Sequence, residues 1–113
     1  MALIVTTTQP TALLKSICTA IDNKTVETWS YQDINGLRYF THTPDQWKNK
    51  AWFTAVVYPG ELQFGIVKPK DQTLSKVVYG VYHGRFNEML LSHFDNSFVS
   101  AKATAKAVTP DVI

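Results

Sequence analysis

One segment limits what this chain can fold into more than any other, and it spans residues 73–94. Its apolar side chains recur at helical spacing: Val78, Val81, Tyr82, Phe86, Met89, Leu90 and Phe94. The back of the same helix carries Gly80, Gly84, Asn87 and Leu91, with scarcely a charge among them. A helix with so few solvated positions is expected to be covered on more than one side.

Polar side chains interrupt the apolar stripe of this helix. Arg85 and His93 stand where a core would hold Leu, so we expect both to be buried. Glu88 follows Arg85 by three residues and is expected to pair with it, while His83 lies on a flanking stripe. These four side chains fit a structural network or a subunit contact, which we favour. They also fit a ligand site, in which Arg would fix a phosphate or carboxylate and His would exchange a proton.

A β-hairpin is predicted around Asn35 and Gly36, because both residues tolerate a positive φ. It joins a strand at residues 25–32 to a strand at residues 37–42. One face of this hairpin is expected to present Trp29, Tyr31 and Phe40.

A second hairpin is predicted to turn at Pro59-Gly60 and to join residues 51–58 to residues 61–67. Its core face is formed by Phe53, Ala55 and Val57, paired with Leu62, Phe64 and Ile66. Between the hairpins, residues 43–46 have the pattern of a capping box, which predicts a single helical turn that carries Trp47.

The opposite face of the two hairpins is neither a core surface nor a fully polar one. It collects Thr28, Ser30, Tyr39, Thr41, Trp52, Thr54, Val56, Tyr58 and Gln63. Thr and Tyr are good strand formers whatever their function, so a solvent-facing sheet surface is one interpretation. The apolar area of the aromatic side chains favours the other, a contact surface for a partner or a second subunit at Tyr39, Trp52, Thr54 and Tyr58.

The N-terminal part predicts one helix after a short segment at residues 2–6, which is either a strand or an ordered arm. Thr8 is the expected N-cap, and Pro10 falls in the first turn, where its missing N–H costs nothing. The apolar stripe of this helix is Leu13, Leu14, Ile17, Cys18 and Ile21.

At the C-terminal side, Asp71 or Thr73 is expected to cap the long helix. Residues 97–108 alternate small apolar and polar side chains, which favours a strand that pairs within the chain or with a neighbouring copy. Residues 1–7 and 109–113 are the segments that could form arms.

Together these elements predict an α+β fold in a single domain over residues 1–113. The expected architecture is a two-layer sandwich: a mainly antiparallel sheet of two hairpins plus a C-terminal strand, with the N-terminal helix and the long helix on one face.

Composition excludes several function classes. The net charge of +2 is too small to indicate a nucleic-acid or membrane partner, and no segment has the ~20 apolar residues that span a bilayer. Cys18 is the single cysteine and is expected to be buried filler. No nucleophile elbow or glycine-rich phosphate loop occurs, and we predict no cofactor and a cytoplasmic location.

A metal site is weakly indicated. His42 with Asp45 and His93 with Asp95 are two potential ligand pairs, but no recognised zinc-ligand spacing joins them. We therefore predict no metal.

The favoured hypothesis is a small, non-enzymatic protein-binding or adaptor module that acts as a homodimer. Gly80 and Gly84 would permit a close helix–helix contact between subunits, or they would pack against the N-terminal helix or the Ala-rich tail of the same chain. The competing hypothesis is an anion-binding protein or enzyme built around Arg85, Glu88 and His93, joined by His42. It predicts a concave, solvent-accessible site where these residues converge.

Overall fold

The computed structural model describes residues 2–70 and 72–112. Its elements are β1 Leu3–Thr6, α1 Pro10–Asp22, β2 Trp29–Ile34, β3 Leu37–His42, β4 Trp52–Tyr58, β5 Glu61–Val67, α2 Lys76–Phe94 and β6 Ser100–Ala103. All strand pairings are antiparallel, and the sheet order is β2-β3-β4-β5-β1-β6. Both helices pack on one side of the sheet, so the predicted α+β two-layer fold is confirmed.

Both predicted hairpins form. Asn35 and Gly36 take φ values of 52° and 80°, and Ile34 pairs with Leu37 directly beside the turn. In the second hairpin Gly60 has a φ of 77°. These positive φ values are those that tight hairpin turns require, which is why local sequence was sufficient to place both turns.

The first strand of the first hairpin begins later than predicted, at Trp29. The preceding residues instead close the end of α1, because the Val26 N–H donates to Ala20 O at 3.0 Å. Lys24 takes a positive φ of 64° in the same turn. A chain engaged with the helix terminus in this way does not join the sheet at that point.

The core lies between the sheet and the helices, with Phe86 of α2 at its centre. The Phe86 ring lies 4.6 Å from that of Phe64, 4.8 Å from that of Trp29 and 5.1 Å from that of Phe53. Burying each such ring contributes on the order of 2 kcal/mol to the free energy of unfolding. The predicted core face of the second hairpin is thus the face that α2 covers, except at Val57, which is 43% exposed near the end of β4.

Both helices begin with caps other than those predicted. Gln9, rather than Thr8, precedes α1 and makes no side-chain cap. The hydroxyl of Ser75 accepts a hydrogen bond from Val78 N at 3.1 Å, so α2 starts three residues after Thr73. The alternative cap, Asp71, lies outside the described residues.

Residues 3–6 form β1, a strand inside the sheet between β5 and β6. The predicted C-terminal strand is shorter than residues 97–108, and it pairs within the chain, with Ser100 opposite Thr6 and Ala103 opposite Leu3. The Thr104 N–H then donates to Ala2 O at 2.9 Å.

The last described residues return to β5, next to the end of β1. Val112 forms a parallel bridge with Val67, and the Ile66 N–H donates to Asp111 Oδ1 at 2.8 Å. Pro110 lies so close to Gly65 that a Cβ built there would be 2.4 Å from the proline carbonyl carbon. Only glycine therefore permits the tail to reach this position.

Candidate functional site

A cleft of about 310 Å³ lies between α2, the end of β3 and the segment that links β3 to β4. Its apolar lining is Val26, Pro44, Trp47 and Met89. Its polar lining is Thr28, His42, Arg85, Glu88, Ser92 and His93. A concave site with an apolar body and a few convergent polar groups is the usual form of a small-molecule site.

The α2 side of the cleft is one face of the helix over two turns. Arg85, Glu88, Met89, Ser92 and His93 are separated by three or four residues, so they lie in line along the cleft. The structure therefore brings three of the four ligand candidates of the long helix to one concave surface.

The prediction that Arg85 and His93 are buried is wrong. The Arg85 side chain is 56% exposed, and His93 is also exposed. Among the described residues of α2, the buried ones end at Leu90, and on the final turn Phe94 rather than His93 packs against the core. Arg85 adjoins the buried Phe86 but lies at the margin of the covered face, where the cleft keeps it open to solvent.

Arg85 and Glu88 form the predicted pair, with Arg85 Nη1 donating to Glu88 Oε2 at 3.3 Å. Both groups are more than half exposed, so the pair contributes little to the free energy of unfolding. In the part of the chain that the structure describes, this is the one hydrogen bond of the Arg85 guanidinium. The rest of its donor fork is open to an anion.

His42 is the last residue of β3 and the least exposed polar group of the cleft, at 5%. Its Nδ1 lies 2.8 Å from Thr28 O. A carbonyl oxygen accepts only, so Nδ1 must carry the proton, and Nε2 of the neutral ring is an acceptor. Burial lowers the pKa of His42 from its ordinary value, more than the bond to Thr28 raises it, which keeps the ring neutral at pH 7.

The ring of Trp29 packs against the imidazole of His42, with ring centroids 4.7 Å apart. Tyr82 also packs edge-on against His42, at 6.2 Å. Two aromatic neighbours fix the orientation of the imidazole, so the acceptor nitrogen is held in place before any ligand arrives.

The segment between β3 and β4 forms the opposite wall. Trp47 N and Lys48 N both bond to Pro44 O, at 2.8 and 2.9 Å, so the predicted single turn forms and carries Trp47. The predicted capping box does not form, since no hydrogen bond among the described residues joins the Gln46 N–H to Thr43 Oγ1, which instead donates to Glu27 O at 3.1 Å. The wall is therefore held by its contacts with the rest of the fold.

His83 does not belong to the cleft. It is buried on the core side of α2, where its Nδ1 lies 2.6 Å from Tyr79 O and its ring meets Phe53 edge-on at 5.1 Å. His83 is predicted beside Arg85 when nearness in sequence alone is considered. Two residues apart on a helix, however, they face different directions.

A second polar cluster surrounds Cys18, which is buried as predicted, and burial raises the pKa of its thiol. Arg38 Nη1 donates to the Cys18 sulfur at 3.1 Å, and Arg38 Nε donates to Asp33 Oδ1 at 2.7 Å. Hydrogen bonds from Arg38 hold the pKa of Asp33 below its usual range, and a bond to Asp22 raises the pKa of Tyr31. This network joins α1 to the first hairpin.

Gly80 and Gly84 lie on the outer face of α2, and a Cβ added at either would meet nothing within 4 Å. The expectation that they pack against α1 or the tail of the same chain is therefore wrong. The nearby apolar side chains Val77 and Leu91 are 65% and 55% exposed. We call these four residues the outer face of α2.

The sheet surface opposite the helices carries two adjoining depressions that share Gln32, Tyr39 and Trp52. Tyr58 is exposed on the same surface, whereas Thr41 is buried and donates its hydroxyl to Ala51 O at 3.0 Å. The predicted contact residues of this face are thus accessible in part, and Thr41 is a structural residue.

No model of a known protein family, no curated protein and no solved structure matches this chain. None of the helices in the described residues has the length and apolarity that crossing a membrane requires. Over the same residues, no three His, Cys, Asp or Glu side chains are grouped as a metal ion would need.

Proposed function

We propose that this protein binds a small organic anion in the cleft beside α2. The observation that carries the proposal is the convergence of Arg85, His93 and His42 on one concave, solvent-accessible surface. Arg85 offers a planar donor fork that matches a carboxylate or a phosphate, and its single long bond to Glu88 leaves most of that fork available.

The remaining lining supports an organic ligand rather than a bare ion. Val26 and Met89 are almost fully buried and give the cleft an apolar floor, and Trp47 adds an aromatic wall. An inorganic anion would leave these surfaces in contact with water. A ligand with an apolar body and one anionic group would cover them.

Binding without chemistry is the form of the proposal that the contacts favour. Nucleophilic catalysis needs a hydroxyl or thiol that is hydrogen-bonded to a base. Ser92 is the hydroxyl on the helix side of the cleft, and no hydrogen bond in the described part of the chain joins it to a ring nitrogen of His42 or His93.

The test is a titration of ¹⁵N-labelled protein with benzoate, using chloride at the same ionic strength as the control. The proposal predicts saturable backbone shifts grouped at residues 42–47 and 85–93. Phosphate should bind more weakly, because it leaves the apolar floor uncovered. Shifts that do not saturate, or that equal those given by chloride, would contradict the proposal.

A second candidate function is protein binding, with the outer face of α2 as the contact of a homodimer. The observation in its favour is that no part of the described chain covers Gly80 and Gly84, although each glycine costs about 1 kcal/mol of helix propensity. Val77 and Leu91 supply apolar area beside them, and a helix without Cβ atoms on one stripe admits a second backbone closely. On the sheet surface Tyr39, Trp52, Thr54 and Tyr58 would receive another protein.

Light scattering over a hundredfold range of concentration tests this second candidate. A dimer predicts a mass near twice 12.7 kDa that persists on dilution. Gly84→Leu should return the mass to that of a monomer with its circular dichroism unchanged, while Thr19→Leu, at an exposed site of α1, should not. A wild-type monomer at every concentration would exclude the homodimer.

A further inference from the structure

We infer that the ligand of the cleft is an aromatic carboxylate that carries a hydrogen-bond donor, a hydroxyl or an amine, at the end opposite its carboxylate. The inference rests on the proposed function and specifies its ligand. It follows from the relation between His42 at the inner end of the cleft and Arg85 at its rim.

At the inner end of the cleft, the ligand must offer a hydrogen-bond donor. Nδ1 of His42 is committed to Thr28 O at 2.8 Å, which leaves Nε2 as the acceptor of the ring. Among the described residues, none donates a hydrogen bond to that nitrogen. A ligand that displaced water from Nε2 without offering an O–H or N–H would leave a largely buried acceptor unpaired.

At the rim of the cleft, beside Arg85, the ligand must carry its anionic group. Arg85 is 56% exposed at the opening, whereas His42 is 5% exposed, so the two groups lie at different depths. His93 is also exposed and lines the same opening. The polarity of the cleft therefore runs from an acceptor inside to the Arg85 guanidinium at the opening, where Glu88 takes only one of its donors, and the ligand must run from donor to anion.

The apolar lining of the cleft favours an aromatic ring. Val26, Met89 and Trp47 add apolar surface to the cleft that His42 and Arg85 share. A benzene ring fits a cavity of roughly 150 Å³, and about 310 Å³ holds such a ring with one substituent at each end. Flat rings also pack well beside an indole, as an offset stack or edge-on.

Three probe ligands distinguish the contribution of the carboxylate from that of the hydrogen-bond donor: benzoate, 4-hydroxybenzoate and 4-methoxybenzoate. All three carry the anion, while the hydroxyl and methoxy compounds are similar in shape and differ in the donor. We expect 4-hydroxybenzoate to bind about tenfold more tightly than either of the others, measured by calorimetry at pH 7.5. Equal affinities for all three would overturn the inference and leave anion binding intact, whereas no binding of any would overturn the proposed function itself.

The variant His42→Phe keeps a ring and removes the acceptor. It is expected to lose the tenfold preference for 4-hydroxybenzoate over benzoate and 4-methoxybenzoate, whatever its affinity for benzoate itself. A preference that survives in this variant would contradict the assignment of His42. A measurement on the unmodified protein gives the same test: the ¹⁵N signal of Nε2 should move on addition of 4-hydroxybenzoate and stay in place with 4-methoxybenzoate. A shift of equal size with both ligands would count against the inference.

Discussion

The hydroxyl of Tyr82 on α2 donates a hydrogen bond to the main-chain oxygen of Trp47, across the gap between the helix and the segment that follows β3. The same hydroxyl lies 3.0 Å from Thr41 Oγ1. Tyr82 is fully buried, so its hydrogen bond to Trp47 is shielded from water. The contact fixes the distance between the two walls of the cleft, and it does so from outside the cleft, because Tyr82 does not line it.

Tyr82→Phe is therefore expected to lower the free energy of unfolding by about 1–2 kcal/mol, because Trp47 O loses its donor. The matched control is Tyr79→Phe on the same helix, since the Tyr79 hydroxyl has no hydrogen bond within the described residues. Urea unfolding of both variants gives the comparison. Equal losses would contradict the role assigned to the Tyr82 hydroxyl.

Glu88→Gln is expected to tighten the binding of benzoate several-fold. The carboxylate of Glu88 occupies one donor of Arg85 at 3.3 Å and repels an incoming anion at the same rim. Removing its charge leaves the side chain nearly isosteric. Weaker binding in this variant, measured by calorimetry, would mean that Glu88 helps to hold the ligand.

Acid is expected to destabilise the protein through His42. Its pKa is lowered in the folded state, mainly by burial, so between that value and the ordinary value near 6.5 the unfolded chain binds a proton that the folded chain does not. The contribution of neutral His42 to the free energy of unfolding is therefore complete above about pH 6.5. It is lost as the pH falls through the pKa of His42 in the folded state. The carboxyl of Asp33, with an ordinary pKa of 3.8 that Arg38 lowers, loses its contribution only in stronger acid.

His42→Asn tests this dependence, because an amide can still donate to Thr28 O and does not titrate. The free energy of unfolding of the wild type should fall between pH 7 and pH 5, and that of the variant should fall less. Parallel curves for the two proteins would show that another group is responsible.

The same substitution at two glycines should have opposite effects. Gly65→Ala places a methyl group within 2.7 Å of Pro110 backbone and ring atoms, which is expected to cost about 1–3 kcal/mol and to release the tail from β5. Gly80→Ala meets nothing within 4 Å and should stabilise α2 by up to about 1 kcal/mol. Thermal unfolding of both variants shows whether each substitution lowers or raises the free energy of unfolding. A Gly65→Ala protein as stable as the wild type would contradict the packing of Pro110 against Gly65.

Local sequence was sufficient where one or two residues decide the backbone. Asn35 and Gly36 fixed the first hairpin in this way, and Gly60 fixed the turn of the second. The cap of α2 was missed because Thr73 and Ser75 offer the same hydroxyl chemistry two residues apart. Such choices depend on how the loop approaches the helix, which the pattern of residues does not specify.

Of the two walls of the cleft, only the one formed by α2 could be predicted from the sequence. Helical spacing alone aligns Arg85, Glu88 and His93, but their exposure depends on which other segments of the chain pack beside α2. The opposite wall depends on the bond between Tyr82 and Trp47, which are 35 residues apart in sequence. No local signal identifies that pairing, so the contribution of the wall to the site could not be predicted.

The measurement that tests the central claim most directly is the dissociation constant of benzoate for the wild type, Arg85→Gln and Lys76→Gln. Both variants remove one positive charge from α2, and Lys76 is exposed outside the cleft. Anion binding in the cleft predicts at least a tenfold loss of affinity for Arg85→Gln and almost no change for Lys76→Gln. Equal affinities in all three proteins would contradict the assignment of the cleft as the binding site.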